Sequence, residues 1–290
     1  MRLRVGMALA AVAVFAAAGC GGGGGDGGSS TASTSTGTSS DAKAVLAAAP
    51  AKVKNANSSK VSFSITVDSD KLENPLTVPG SGEFDYAAKE GRLTMNYGSV
   101  LSAAGQSGNG NMEILTKGSV YYVKWPLLSS AVKAKTPWIS FDITKLDQIS
   151  GIDTSSLRSV NQGDPSQTLV YLKAAGTVED QGTEDVDGTS TTKYHGVIDL
   201  NRIPSLAPAD QRDAVTASVK TLKETYGISE LPLDVWIDDG GLPRKLFYEI
   251  STKVQGSEVE TTLEMKLSDY GISVDVQPPS ASQVTDLATL

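Results

Sequence analysis

Alternating apolar and polar residues recur along the chain and predict β-strands. In Lys60–Val67 every second residue is apolar, which places Phe63 and Ile65 on one face of a strand. The same pattern marks further segments, most of them joined by hairpin-like loops: 82–86, 92–97, 112–115, 119–124, 176–186, 189–200, 233–237, 244–250 and 259–267. Asp187-Gly188 is a strong hairpin dipeptide, because type I′ turns need positive φ. The pattern therefore predicts about ten or eleven strands in an antiparallel sheet.

A smaller part of the chain has helical periodicity. Residues 208–226 carry apolar residues at helical spacing and end before Gly227, the apolar positions being Val215, Val219, Leu222 and Tyr226. Asp164-Pro165 is a good helix start, with Leu169 and Leu172 as the apolar side and Gly176 as the stop. Residues 41–57 also look helical, although Pro50 predicts a kink or a division there. For 125–152 we expect only short helical turns and loops.

The predicted sheet is too long to remain flat, because strands twist. It must curl into a barrel or half-barrel, or split into a sandwich. The amphipathic helices could then cover the concave face and leave an apolar cavity beneath them. The sequence does not require an open cavity, and composition alone favours a filled core.

The first twenty residues predict export and a lipid anchor. Arg2 and Arg4 precede an apolar run, 5–18, of about 21 Å as a helix, which is too short to cross a bilayer. The run ends in Ala17-Ala18-Gly19-Cys20, which resembles a bacterial lipobox with Ala17 in place of the usual leucine. The resemblance implies cleavage before Cys20, a diacylglycerol thioether on its sulfur and, often, acylation of the new amino group, for instance as palmitate. The alternative is an ordinary secreted protein with a chance cysteine.

Residues 21–40 contain only Gly, Ser, Thr, one Ala and Asp26. They have no apolar surface to offset the entropy of ordering, so we expect a disordered tether of roughly 25 Å root-mean-square length. The chain thus divides into a lipoprotein signal peptide (1–19), a lipidated cysteine with its tether (20–40) and a single domain (41–290).

Composition excludes several classes of function. The chain has 25 Lys and Arg against 33 Asp and Glu, a formal charge of −8, whereas a nucleic-acid binder needs a basic surface. One Cys and one His exclude most nucleophilic and metal machinery, so we expect no enzyme, no metal and no cofactor. His195 lies inside a predicted strand without a nucleophile motif nearby, and we expect a surface or hydrogen-bonded histidine there.

Residues spread along the predicted domain resemble the actinobacterial LppX/LprG-type lipoproteins. The residues that carry the resemblance are Val61–Val67, Asp164-Pro165, Leu169, Leu172, Gly176, Gly188, Thr192, Tyr194, Gly196, Asp199-Leu200, Leu231–Asp238, Gly241–Arg244, Gln277-Pro278-Pro279, Val284 and Leu287. The resemblance implies an α+β fold, a highly curved antiparallel half-barrel closed by helices and similar to bacterial lipoprotein carriers. It also implies that the cavity holds acyl chains of a lipid or glycolipid. The glycine-rich tether and Pro50 are not typical of the mycobacterial members, so their lipid is not assumed here.

The leading hypothesis is a monomeric lipoprotein on the extracytoplasmic face of the cell membrane. It would carry or present acyl lipids in the envelope, with the lipid, the membrane and a membrane transporter as partners. The apolar residues expected to line its cavity are Phe63, Ile65, Met112, Val120, Tyr122, Trp236, Leu246, Tyr248, Ile250, Leu263 and Met265. The alternatives are an anchored interaction module with a filled core and a receptor for a small apolar signal.

Overall fold

The computed structural model describes residues 39–148, 174–207, 209, 212–254 and 256–289. Twelve strands form one sheet: β1 Ser58–Ser69, β2 Leu76–Asp85, β3 Glu90–Asn96, β4 Asn111–Lys117, β5 Val120–Lys124, β6 Trp138–Asp142, β7 Ala175–Val186, β8 Thr189–Asp199, β9 Glu230–Asp238, β10 Pro243–Val254, β11 Ser257–Ser268 and β12 Val284–Asp286. The helices are α1 Ser39–Asn55, α2 Gly98–Ala103, α3 Pro126–Ala131, α4 Ile203–Leu206 and α5 Arg212–Tyr226. Short 3₁₀ turns occupy Ile143–Gln148, Leu200–Arg202, Ala281–Gln283 and Leu287–Thr289.

The sheet is one open, curled meander. Its strand order is β12-β6-β5-β4-β3-β2-β1-β11-β10-β9-β8-β7, and β1 pairs with β11 to join the two halves. All pairs are antiparallel except β12 with β6. The predicted class, a highly curved antiparallel sheet with a few helices, is confirmed. The predicted hairpin at Asp187-Gly188 joins β7 to β8, and both residues have positive φ, 51° and 83°.

Two of the strands, β6 and β12, were not predicted from the sequence. Residues 125–152 were expected to hold only turns and loops, yet β6 lies within them, and the short β12 was not predicted. The first four residues of β6 are all buried, so the strand shows no alternation. Ile139 and Phe141 face one buried cluster and Trp138 faces another. A strand covered on both faces lacks the period-two signal.

Helix α1 confirms the helix predicted for 41–57, but Pro50 does not divide it. A proline inside a helix removes one hydrogen bond and costs about 3 kcal/mol. Pro50 is itself buried, and the apolar side of the helix, Ala42, Leu46, Ala49 and Val53, is almost completely inaccessible to solvent. Burying a leucine or valine side chain contributes about 1.5–3 kcal/mol. Leu46 and Val53 together therefore offset the hydrogen bond lost at Pro50.

Helix α5 was also predicted, and it ends at Tyr226 before Gly227, whose φ is +70°. Val215, Val219 and Leu222 are buried in the same cluster as α1 and strands β7 to β11. The two helices therefore cover the same face of the sheet, which we call the inner face. The predicted signal peptide, Cys20 and most of the predicted tether lie outside the described residues. So does the predicted helix that starts at Asp164, up to residue 173. The described chain resumes at Ala174, and β7 begins at Ala175.

The C-terminal segment fastens the other end of the sheet. Val276 is fully buried against Leu115 and Trp138 on the outer face, and Lys117 Nζ donates a hydrogen bond of 3.0 Å to its carbonyl oxygen. Beyond β12, Leu287 enters a cluster on the inner face. The end of the chain thus contacts both faces of the sheet.

Candidate functional site

Strand register decides which predicted residues share a surface. Phe63 lies opposite Met265 on β11, and Met265 lies opposite Leu246 on β10. Because directly opposed residues point to the same face, these three side chains share the inner face. The predicted residues on this face are Phe63, Ile65, Met112, Leu246, Tyr248, Ile250, Leu263 and Met265.

Trp236 lies on the outer face, which corrects its expected place in the cavity. Its register partners are Lys193 on β8 and Lys245 on β10. The two ammonium nitrogens sit 5.1 and 4.8 Å from the centroid of the ring. The indole Nε1 donates a hydrogen bond of 2.7 Å to Glu184 Oε2. Trp236 is therefore buried among charged side chains of the outer face.

Tyr122 and Val120 are on the outer face as well. Tyr122 pairs with Leu115 on β4 and packs against the cluster of Leu115, Trp138 and Val276 beneath the C-terminal segment. Val120 lies two residues away on the same strand and so faces the same side. Their inward-facing neighbours are Tyr121 and Val123, which belong to an inner cluster.

Two large buried clusters lie on the inner face of the described sheet, beside a smaller one of Val67, Leu76 and Val259. The first large cluster joins α1 and α5 to β7–β11, and the second joins β1–β6 to Leu287. Between them, Phe63, Tyr86 and Met265 pack against both clusters. We call these three residues, with Ile65 and Ile250, the apolar strip, because all five side chains are only half-buried. The inner face thus has an apolar surface that the described helices, α1 to α5, do not fully cover.

A narrow cavity opens beside the apolar strip. Its volume is about 10 Å³, and its lining is Ile198, Leu231, Leu233, Leu246, Tyr248, Leu263 and Met265. None of these side chains is charged, and burial raises the pKa of Tyr248, so the phenol stays neutral at any physiological pH. Ile198, Leu231 and Leu233 were not among the predicted residues. The alternation along β8 and β9 was the signal that could have indicated them.

A larger and more open pocket of about 600 Å³ has a mixed lining. Apolar Pro79, Met95, Met112 and Pro126 line it together with Ser81, Thr94, Asn96, Asn111, Glu113 and Lys124. Glu113 and Lys124 face each other with 3.9 Å between Oε2 and Nζ. Of the predicted residues only Met112 contributes to it.

His195 forms a hydrogen bond with Asp234 on the outer face, beside an ion pair between Asp234 and Lys193. Its Nδ1 lies 2.7 Å from Asp234 Oδ1, and Lys193 Nζ lies 3.1 Å from Asp234 Oδ2. Across the described residues, no group of three His, Cys, Asp and Glu side chains is arranged to hold a metal ion. None of the described helices is both long enough and apolar enough to span a membrane.

The chain is similar to a bacterial protein of known sequence and to several solved structures. No family model matches the sequence. An uncharacterised 31.2 kDa protein of Streptomyces griseus, from the rplA-rplJ intergenic region, is 27% identical over 227 residues, which cover 74% of this chain and 71% of that protein. The crystal structure of the Mycobacterium tuberculosis lipoprotein LppX matches at 17% identity and a TM-score of 0.46, covering 83% of this chain and 100% of that one. LprF of Mycobacterium bovis matches at 16% identity and a TM-score of 0.47, covering 83% and 98%. LppX and LprF, which are among these matching structures, are lipoproteins of the type that the sequence resembles.

Proposed function

We propose that the protein binds the acyl chains of a lipid or glycolipid on its inner face and carries or presents that lipid in the cell envelope. The observation that carries the proposal is the apolar strip, a half-buried surface between two apolar clusters and next to a cavity without charged side chains. Such a surface suits acyl chains and performs no covalent chemistry. The ligand would be held by apolar contact alone along most of its length.

Energetics make exchange with a membrane feasible. Burying one acyl methylene contributes about 0.8 kcal/mol in an apolar site, which is nearly the same free energy that it gains in a bilayer. A bilayer-like inner face can therefore take up and release lipid at equilibrium without an energy source. A carrier needs no more than this.

Lipid entry requires the inner face to open. Ligand pockets commonly measure roughly 300–1,000 Å³, far more than the 10 Å³ of the cavity beside the strip. Met265 lines this cavity, and methionine repacks readily around irregular shapes. We infer that binding separates the side chains that line this cavity.

Anchoring belongs to the same proposal and is supported by the sequence of the first forty residues. A diacylglycerol thioether on Cys20, with a further acyl chain on its amino group, would hold the protein stably on the extracytoplasmic face of the cytoplasmic membrane. The tether would keep the domain within tens of ångströms of its lipid source. We propose a monomer that works beside a membrane transporter.

One observation favours a second candidate function. The cavity is nearly filled in this structure, as expected for an anchored interaction module that binds another envelope protein and no lipid. The two functions differ in whether lipid accompanies the purified protein.

Native mass spectrometry of the full chain, purified from an actinobacterial host, tests the proposal. A stoichiometric adduct of lipid mass is expected, and Phe63→Lys should remove it by placing a charge in the apolar strip. Phe247→Lys is the matched control, because Phe247 is also half-buried but lies opposite Asp234 and Glu264 on the outer face. A bare mass that takes up neither phospholipid nor glycolipid would reject lipid binding and favour the interaction module.

A further inference from the structure

Two buried polar atoms near α3 have no hydrogen-bond partner among the described residues. They are the indole Nε1 of Trp125 and the Oγ of Ser129. The backbone there is satisfied, since Ser129 N donates a hydrogen bond of 3.0 Å to the Trp125 carbonyl oxygen. The two side chains therefore lie one helical turn apart with unused hydrogen-bonding capacity. Buried polar groups are almost always paired, so these two call for a partner that the described residues do not supply.

Apolar and aromatic side chains pack around Trp125. Trp125 packs against the second inner cluster together with Leu128 and Val132. The Tyr97 ring lies 5.7 Å from the Trp125 ring, and burial raises the pKa of Tyr97, so it too stays neutral. The Tyr97 hydroxyl donates only a long contact of 3.7 Å to Met95 Sδ. A charged group brought into this setting would lose its hydration without gaining an opposite charge.

The chemistry of the two atoms defines the missing partner. An indole Nε1–H can only donate, and a serine hydroxyl can donate as well as accept. The partner must therefore offer an acceptor oxygen, be neutral and belong to a largely apolar molecule. The carbonyl of a carboxylic ester meets all three requirements.

The site is continuous with the apolar strip. The second cluster, which Trp125 contacts, borders Phe63 and Met265 of the strip. Four strand spacings of about 4.8 Å separate β1, which carries Phe63, from β5, which ends at Lys124 beside Trp125. A single long acyl chain can follow the inner face across roughly that distance.

We propose that Trp125 and Ser129 form an ester subsite, in which Nε1–H and Oγ–H donate to the ester carbonyl of a bound acyl lipid. This inference rests on the proposed lipid-binding function and adds the linkage that is recognised. The protein selects ester-linked acyl lipids over ether-linked lipids of the same chain length, because an ether lacks the carbonyl acceptor.

Competition between two phosphatidylcholines with sixteen-carbon chains, one ester-linked and one ether-linked, tests the subsite. Both are offered in equal amounts to the full chain, and native mass spectrometry measures the ratio of bound species. The wild-type protein should favour the ester form roughly two- to tenfold, the range that a neutral hydrogen bond provides. Trp125→Phe, which keeps an aromatic ring against Tyr97, and Ser129→Ala should each bring the ratio towards one.

Ser257→Ala is the matched control, because Ser257 Oγ is also buried and unpaired but lies at the hairpin between β10 and β11. It should leave the ratio unchanged. Equal binding of both lipids by the wild type, or a preference that survives both Trp125→Phe and Ser129→Ala, would overturn the ester subsite while leaving lipid binding intact. Binding of neither lipid would remove the proposed function and the subsite with it.

Thermal unfolding of ligand-free Ser129→Ala separates a lipid role from a structural one, since Tm should not fall if nothing in the empty protein bonds that hydroxyl.

Discussion

The ring of Phe63 lies directly over Gly80, its register partner on the neighbouring strand β2. A Cβ atom on Gly80 would overlap the far edge of that ring. Phe84 and Gly91 repeat the arrangement between β2 and β3. In both pairs the missing side chain lets an aromatic ring lie flat on the inner face. The two glycines thus leave room for the aromatic rings that form the inner surface between the two clusters.

Gly80→Ala should displace the Phe63 ring and destabilise the protein by about 1–3 kcal/mol, the usual cost of overpacking. Urea denaturation followed by circular dichroism measures the change. Gly196→Ala is the control, because a Cβ there meets its nearest neighbours at 3.6 Å, an ordinary contact distance. Equal stability of Gly80→Ala and wild type would show that Phe63 does not depend on the glycine.

Trp236→Phe should lower the free energy of unfolding without changing lipid binding. The substitution removes the hydrogen bond from Nε1 to Glu184, which is worth about 1 kcal/mol for a partly exposed carboxylate partner. A double-mutant cycle with Glu184→Gln, measured by urea denaturation, isolates this bond. Loss of the lipid adduct in Trp236→Phe would contradict its position on the outer face.

The sequence could predict the hairpins but not always which face of a strand is inner. Alternation was sufficient in β1, where Phe63 and Ile65 lie on the inner face and the residues between and beside them on the outer face are serine and threonine. It failed at Trp236, because Val235-Trp236-Ile237 are all buried and only the lysines on neighbouring strands show that the ring faces outward. It failed at Tyr122 for a similar reason: the C-terminal segment that covers this residue is more than a hundred residues away in sequence.

The ester subsite shows another limit of sequence prediction. The pattern in 125–152 predicted short helical turns, and α3 is one, but nothing local indicates that Trp125 and Ser129 are buried without partners. The burial of these two side chains depends on the packing of α3 against the second inner cluster. Pro50 is the opposite case, since the local rule predicts a break that tertiary packing overrides.

Acid should destabilise the turn that follows β8. Asp199 caps the 3₁₀ turn Leu200–Arg202, and hydrogen bonds from the backbone and side chain of Asn201 lower the pKa of its carboxyl below the ordinary 3.8. Because the folded pKa lies below the unfolded one, the stabilisation is present above about pH 4 and is lost as the pH falls through the folded value. The stability difference between wild type and Asp199→Asn should therefore shrink below pH 4. An NMR titration that places the Asp199 pKa at or above 3.8 would contradict this.

Leu287 should be a major anchor of the C-terminal segment. Its side chain is 1% exposed within the second inner cluster, although it lies only three residues from the end of the chain. Leu287→Ala should cost about 2–5 kcal/mol, because truncation leaves a cavity in addition to the lost burial. Leu127→Ala is the matched control: Leu127 is 39% exposed, and its truncation should change stability by no more than about 0.5 kcal/mol. Guanidinium denaturation compares the two variants. Leu287 is not a major anchor if Leu287→Ala lowers stability no more than Leu127→Ala does. Val276 would then have to hold in place the C-terminal segment that covers Tyr122.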